Sequence, residues 1–302
     1  MTMTKSSDAN PAIDAFFDDV THTVTYLVHA PGRSDAIVID PVLDYDHRSG
    51  ALSTKSVDRV LDAANDKGLS IAMVLETHAH ADHLSGAPVI KARTGAPVGI
   101  GQHIDQVQTI FRPVFGADDV SGTGAEFDHL FADAETFDIA GMHIDVIHTP
   151  GHTPACVSYH IGDAVFVGDT LFMPDYGTAR ADFPGGDAAT LYNSIQKLLT
   201  LPDETRLFMC HDYLPEGRDK FAWETTVGEE KSRNIHIGGG VTQNAFVAMR
   251  EARDATLAAP NLLLPSIQTN IRAGHLPPAD KDGARRLRIP LRGVDQIDMP
   301  DL

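Results

Sequence analysis

The chain is 302 residues long, 42% apolar, and carries a formal net charge of −18. That length supports a sizeable core, and the acidity argues against a nucleic-acid surface, because phosphate backbones call for clustered Lys and Arg. Only Arg285-Arg286-Leu287-Arg288 groups such residues, and it reads as a solvated strand edge.

In chain order, residues 23–28 and 36–40 read as paired strands joined by a turn around Pro31-Gly32, and residues 57–67 as a helix closed by Gly68. The apolar run 71–75 is a buried strand by pattern, and it leads directly into Thr77-His78-Ala79-His80-Ala81-Asp82-His83. Helices follow at 87–93 and 104–111, and the polar, Gly-rich stretch 116–126 reads as an insertion or lid loop at the pocket mouth. Strand-like runs 142–147, 164–167 and 205–210 each lead to a further ligand-type residue: His152, Asp169 and His211. Leu191, Ile195, Leu198 and Leu199 share one helical face that Pro202 terminates. Residues 222–234 and 243–257 are predicted helices, with Gly238-Gly239-Gly240 as a flexible hinge between them. From Pro260 the tail reads as an irregular arm. Residues 1–240 are thus expected to form the catalytic domain, and 241–302 a C-terminal helix and arm packed on it.

Neutral imidazoles and carboxylates are ligands chosen by zinc, iron and manganese, while a thiolate set for copper(I) or iron-sulfur clusters is absent. By residue type, His78, His80 and His152 suit one ion, Asp82, His83 and His211 a second, and Asp169 a bridge. The remaining histidines, His22, His29, His47, His103, His129, His143, His148, His160, His236 and His275, are read as structural. So are Cys156 and Cys210, which sit in apolar segments and form no C-x-x-C pattern. With no basic-then-apolar leader and no apolar run of membrane-span length, a soluble, cytoplasmic protein is expected, and a homodimer is left open.

With H-x-H-x-D-H at His78 to His83 and later ligands at His152, Asp169 and His211, the chain resembles the metallo-β-lactamase superfamily. The resemblance implies an α/β fold, the αββα sandwich, with two mixed sheets face to face, helices outside, and a metal site at one edge. More narrowly, the stretches from Thr77 to Gly86, Gly168 to Phe172, Gly177 to Phe183 and His211-Asp212-Tyr213 resemble bacterial persulfide dioxygenases, and more distantly hydroxyacylglutathione hydrolases. The former resemblance implies one Fe(II) held by His78, His152 and Asp169, with oxidation of glutathione persulfide by O2 to sulfite and thiol. It also implies contacts from Arg180 and Tyr213 to the glutathione moiety. The hydrolase alternative implies two Zn(II) and thioester cleavage. An Asn-Pro-Arg segment of the dioxygenases is replaced here by Arg233-Asn234-Ile235-His236.

Overall fold

A computed structural model describes residues 10–291. Its strands are β1 (Ala12–Phe17), β2 (Val24–His29), β3 (Asp35–Ile39), β4 (Val42–Asp46), β5 (Ala51–Ser53), β6 (Ser70–Leu75), β7 (Leu84–Ser85) and β8 (Val98–Gly101). Then come β9 (His129–Phe131), β10 (Thr136–Ile139), β11 (Met142–His148), β12 (Val157–Ile161), β13 (Ala164–Phe166), β14 (Arg206–Phe208) and β15 (Glu224–Thr226). The helices are α1 (Lys55–Asp66), α2 (Ala87–Thr94), α3 (Ile104–Phe115), α4 (Ala188–Leu198), α5 (Val227–Arg233), α6 (Gln243–Asp254) and α7 (Leu263–Asn270).

Two six-stranded mixed sheets result, ordered β1-β2-β3-β6-β8-β9 and β10-β11-β12-β13-β14-β15, with a small β5-β4-β7 sheet beside them. Alternation along the strands explains the layering, since successive side chains point to opposite faces. Tyr26, Val28, Ile37, Ile39 and Leu75 meet Ile144, Val146, Tyr159 and Phe166 between the sheets. The intervening Leu27, Ala36, Val38 and Val74 face outward, onto Val57 and Val60 of α1, Ile90 of α2, Ile104 and Val107 of α3, and Ile267 of α7. On the opposite side, Val165 and Leu207 pack on Leu191 and Ile195 of α4 and Phe246 of α6. Three apolar layers, with each buried Leu, Ile or Phe contributing ~1.5–3 kcal/mol, make the αββα sandwich the arrangement that covers both faces of both sheets.

Several expectations are corrected. Residues 222–234 are not one helix: Thr225 and Thr226 extend the second sheet by pairing with β14, and the helix starts only at Val227, capped by the Thr226 side chain. Strand pairing at an open sheet edge outweighs local helix preference there. The glycine triplet forms one tight turn, with Gly239 and Gly240 at φ of 66° and 78°. The arm after Pro260 contains α7, whose Ser266, Ile267, Thr269 and Asn270 are buried. Arg285-Arg286-Leu287-Arg288 lies in no strand: Arg286 pairs with Asp280 and Asp282, and Arg288 donates to the carbonyls of Phe115 and Gly116. The 116–126 loop is held by Glu126, which accepts from the Ser121 amide and the Gln108 side chain, and by Asp119, which pairs with Arg272. Expectations for residues 1–9 and 292–302 lie outside the described residues.

Candidate metal centre

Each ligand-type residue follows the end of a strand at one edge of the sandwich. His78, His80, Asp82 and His83 lie between β6 and β7, His152 between β11 and β12, Asp169 after β13, and His211 after β14. Gly168 lets β13 turn: at φ +53° it brings its Cα so close to Thr77 that a Cβ would fall 2.7 Å from the Thr77 hydroxyl. The two sheets are thereby fastened together beside His78 and Asp169.

Hydrogen bonds assign the tautomers. His152 Nδ1 donates to the Arg180 carbonyl (2.8 Å), His83 Nδ1 to the Leu84 carbonyl (3.1 Å) and His211 Nδ1 to the His22 carbonyl (3.3 Å). Carbonyls only accept, so the Nε2 of all three rings carries a free lone pair. The Thr77 hydroxyl donates to Asp40 (2.8 Å), which leaves its oxygen to accept from His78 Nδ1 at 3.0 Å and frees His78 Nε2 as well. His80 is reversed: its Nε2 faces Asp40 at 3.0 Å and Glu76 at 3.2 Å, so Nδ1 is the open nitrogen. Buried and without hydrogen-bond partners are His78 Nε2, His80 Nδ1, His83 Nε2, His211 Nε2, Asp82 Oδ2 and Asp169 Oδ1. Buried polar atoms are almost always partnered, so this set of lone-pair atoms fits a cation.

The ligand atoms of His78, His152 and Asp169 lie within 4.8 Å of one another, as do those of His80, Asp82 and His83. Asp169 Oδ2 is 3.5 Å from His152 Nε2 and 3.9 Å from His78 Nε2. Its Oδ1 is 3.4 Å from His211 Nε2, which in turn lies 3.1 Å from Asp82. All seven expected ligands therefore converge, but His80 does not share the cluster of His78 and His152 that its residue type had suggested.

Electrostatics separates the rings. Burial, reinforced by the neighbouring imidazole of His80, holds His78 well below the ordinary histidine value, and His83 falls to about 3 for the same reasons. Burial also disfavours a charge on His80, yet the Asp40 carboxylate and its hydrogen bond, with Glu76 behind, outweigh it and raise His80 well above the usual range. Asp40 and Glu76 carry no motif recognisable in the sequence, although each follows an apolar strand as the ligands do. Asn270 was equally hidden: its Nδ2 donates to the carbonyls of His80 and His83 at 2.8 Å each, and its Oδ1 accepts from the Ser85 amide at 2.9 Å.

A cleft of about 410 Å³ opens over Asp82, His152 and Asp169. Val20, Phe172, Phe183 and Leu257 give it apolar walls, and both Arg180 and Tyr213 line it. Tyr213 stacks on His211, with centroids 5.7 Å apart. Arg180 grips Asp182 through Nε and Nη2 at 2.6 and 2.8 Å and lies over the Phe183 ring. His22 and His47, read as structural from sequence, also line the cleft, whereas no residue of the 116–126 loop does. Asn234 and His236 sit behind the cleft wall, bonding the Gly177 carbonyl and the Thr178 amide. Cys156 and Cys210 are buried, and burial pushes both thiols up, Cys156 to about 12. Among the described residues no helix is long and apolar enough to cross a membrane.

Residues 18–211 match the model of the metallo-β-lactamase superfamily, and the chain belongs to that superfamily. It is 48% identical to a probable metallo-hydrolase of Burkholderia pseudomallei, over 93% of this chain and 99% of that one. It is 26% identical to the mitochondrial persulfide dioxygenase ETHE1 of Mus musculus, over 91% and 93% of the two chains. Among solved structures, ETHE1 from Myxococcus xanthus superposes with a TM-score of 0.70 at 30% identity, covering 87% of this chain and all of that one.

Proposed function

We propose that this chain is an iron-dependent persulfide dioxygenase acting on glutathione persulfide or a related low-molecular-weight persulfide. The observation that carries the reading is the compact His78, His152, Asp169 set, from which His80 is set apart. Two imidazoles and one carboxylate on one face form the ligand pattern of non-haem Fe(II) oxygenases. The setting of His80 agrees with this, because its Nε2 is engaged by the Asp40 and Glu76 carboxylates at 3.0 and 3.2 Å, which suits an outer support. Iron(II) bound by the three residues would supply open positions and the redox chemistry that joins O2 to sulfur. The overall conversion is persulfide plus O2 plus water to thiol plus sulfurous acid, which balances without a further reductant.

The protein's own part is orientation and exclusion of water. The Arg180 and Leu84 carbonyls fix the His152 and His83 rings, and Phe183 meets His152 edge-on at 5.1 Å. Phe172 and Tyr213 wall the opening, and Arg180 and Tyr213 are assigned contacts with the thiol carrier. Oxygen uptake on adding glutathione persulfide, measured for anaerobically iron-loaded and zinc-loaded protein in parallel, tests the reading. Uptake with sulfite formation in the iron sample alone is expected.

A second reading, a dinuclear-zinc thioester hydrolase, is favoured by the convergence of Asp82, His83 and His211 beside Asp169. Thioester hydrolysis by the zinc form, with no oxygen uptake by the iron form, would replace the first reading.

A further inference from the structure

The carbonyl that orients His152 belongs to a stretch of chain with little regular structure of its own. Gly177 to Ala181 lies outside every named strand, joined to its surroundings by a single bridge between Leu171 and Thr178, and Thr178, Ala179 and Arg180 line the cleft. Buried backbone groups need partners, and without a sheet ladder side chains must supply them. Asn234 donates to the Gly177 carbonyl and His236 Nδ1 accepts from the Thr178 amide, both at 2.9 Å. Arg250 donates to the Thr178 carbonyl at 3.1 Å, and Asp254 Oδ2 accepts from the Ala181 amide at 2.9 Å.

The bond from Ala181 differs from the others in what it reaches. The Ala181 N–H and the Arg180 C=O are the two ends of one trans, planar peptide group, so they point in opposite directions. On one side the carbonyl accepts from His152 Nδ1 at 2.8 Å, and on the other Asp254 holds the N–H. Fixing one end of the plane fixes the other. Asp254 is itself held by Arg250, whose Nε and Nη2 reach its Oδ1 at 2.9 and 2.6 Å, and both side chains are buried. Helix stability does not account for this carboxylate, because Asp254 is the final residue of α6, where the helix dipole disfavours negative charge.

We propose that Asp254, held by Arg250, is a positioning residue for the metal centre, acting on His152 through the Arg180–Ala181 peptide group. A carboxylate bonded directly to a metal-ligating imidazole orients the ring and raises its basicity. Here the same influence passes through one peptide group, since hydrogen bonds in a chain polarise one another in a low-dielectric interior. This rests on His152 being a metal ligand, which the dioxygenase and hydrolase readings share.

The test is titration of metal-free protein with cobalt(II), read from its visible absorption band, in the wild type, Asp254→Ala, Asp254→Asn, His152→Ala and Arg206→Gln, with urea midpoints of the metal-free proteins alongside. Arg206 is the control for loss of an ion pair: it meets Asp163 beside the starts of β13 and β14, whereas Asp169 and His211 follow the ends of those strands. Asp254→Ala should bind cobalt(II) about tenfold less tightly, the lower end of the loss expected when the outer partner of a ligand is removed, and its band should change. Asp254→Asn, which still offers an oxygen to the Ala181 amide, should lose less. Arg206→Gln should lose stability and keep both affinity and band. Should Asp254→Ala fail to fold, the double variant Arg250→Gln/Asp254→Asn removes both buried charges together and should show weaker binding with a changed band. Wild-type affinity and band in Asp254→Ala, or in the double variant standing in for it, overturn the proposal, as does an equal loss of affinity in Arg206→Gln. If His152→Ala binds cobalt(II) as the wild type does, the ligand assignment is wrong and the proposal falls with it. If His152→Ala alone weakens binding, the ligand stands and the relay from Asp254 is refuted.

Discussion

Asn270 is 190 residues from His80 in sequence, yet its amide fills the turn of the H-x-H-x-D-H loop. Replacing it by Ala removes two donors, to the His80 and His83 carbonyls, and the acceptor of the Ser85 amide, all buried. At ~1 kcal/mol for each neutral bond, with the stranded groups unable to reach water, the expected loss is ~3 kcal/mol. That is a large share of the ~5–15 kcal/mol by which a folded domain is stable. The assay is urea unfolding of metal-free protein, followed by metal content after equilibration with iron(II). Gln268→Ala is the control: Gln268 also makes three bonds, part-buried ones with Leu264 and Arg288, but none with the metal loop. Both variants should lose stability, and only Asn270→Ala should lose metal affinity as well. A destabilisation of Asn270→Ala below ~0.5 kcal/mol, or equal metal affinity in both variants, would refute the reasoning.

Asp169→Ala should abolish metal binding by removing the carboxylate that both clusters approach, whereas His83→Ala should leave one iron per chain, read by elemental analysis; loss of all metal from His83→Ala would count against the single-iron reading. Glu230 is pushed up to about 8, chiefly by burial, from an ordinary value of 4.5, so the folded state holds a proton there that the unfolded chain releases. Its contribution is therefore fully present below pH 4.5 and is lost as pH rises toward about 8. Glu230→Gln should raise the urea midpoint at pH 8 and flatten the slope between pH 5 and 8 (midpoints from fluorescence), and an unchanged slope would show that Glu230 is not the group responsible. Cys156 and Cys210, buried with raised thiol values, should resist a thiol reagent in the folded protein and react only on unfolding; a fast native-state reaction of either would contradict their burial.

What could be read from sequence was whatever is local. Ile71 to Leu75 announces a buried strand, and the histidines after it are close enough together to be recognised as ligands. Every one of the seven then meets its partners because strand ends from both sheets gather at one edge. What escaped depends on long-range pairing. β15 forms because β14 offers an unpaired edge, which no window around Thr225 contains. Asp40, Glu76 and Asn270 are ordinary residues in ordinary surroundings until the fold brings them to His80. Arg180 shows the reverse: its neighbourhood in sequence holds Asp182, and the structure does pair them, so the role of Arg180 cannot be argued from a free charge.

Charge is distributed unevenly around the cleft. Asp40, Glu76 and Asp169 lie buried at or beneath the floor of the cleft, and Asp82 is mostly enclosed beside them. Buried carboxylates are tolerated only when partnered. Asp40 has its partner in His80 and in the Thr77 amide at 2.7 Å, but Asp82 Oδ2 and Asp169 Oδ1 accept no hydrogen bond at all. A floor of this kind attracts a cation, and the same cleft is lined by Arg180, Arg250 and Arg253. The unpartnered carboxylates of this floor are therefore tolerated where a metal ion would offset their charge, and the local chemistry of the site is set by that pairing and not by the net charge of the chain.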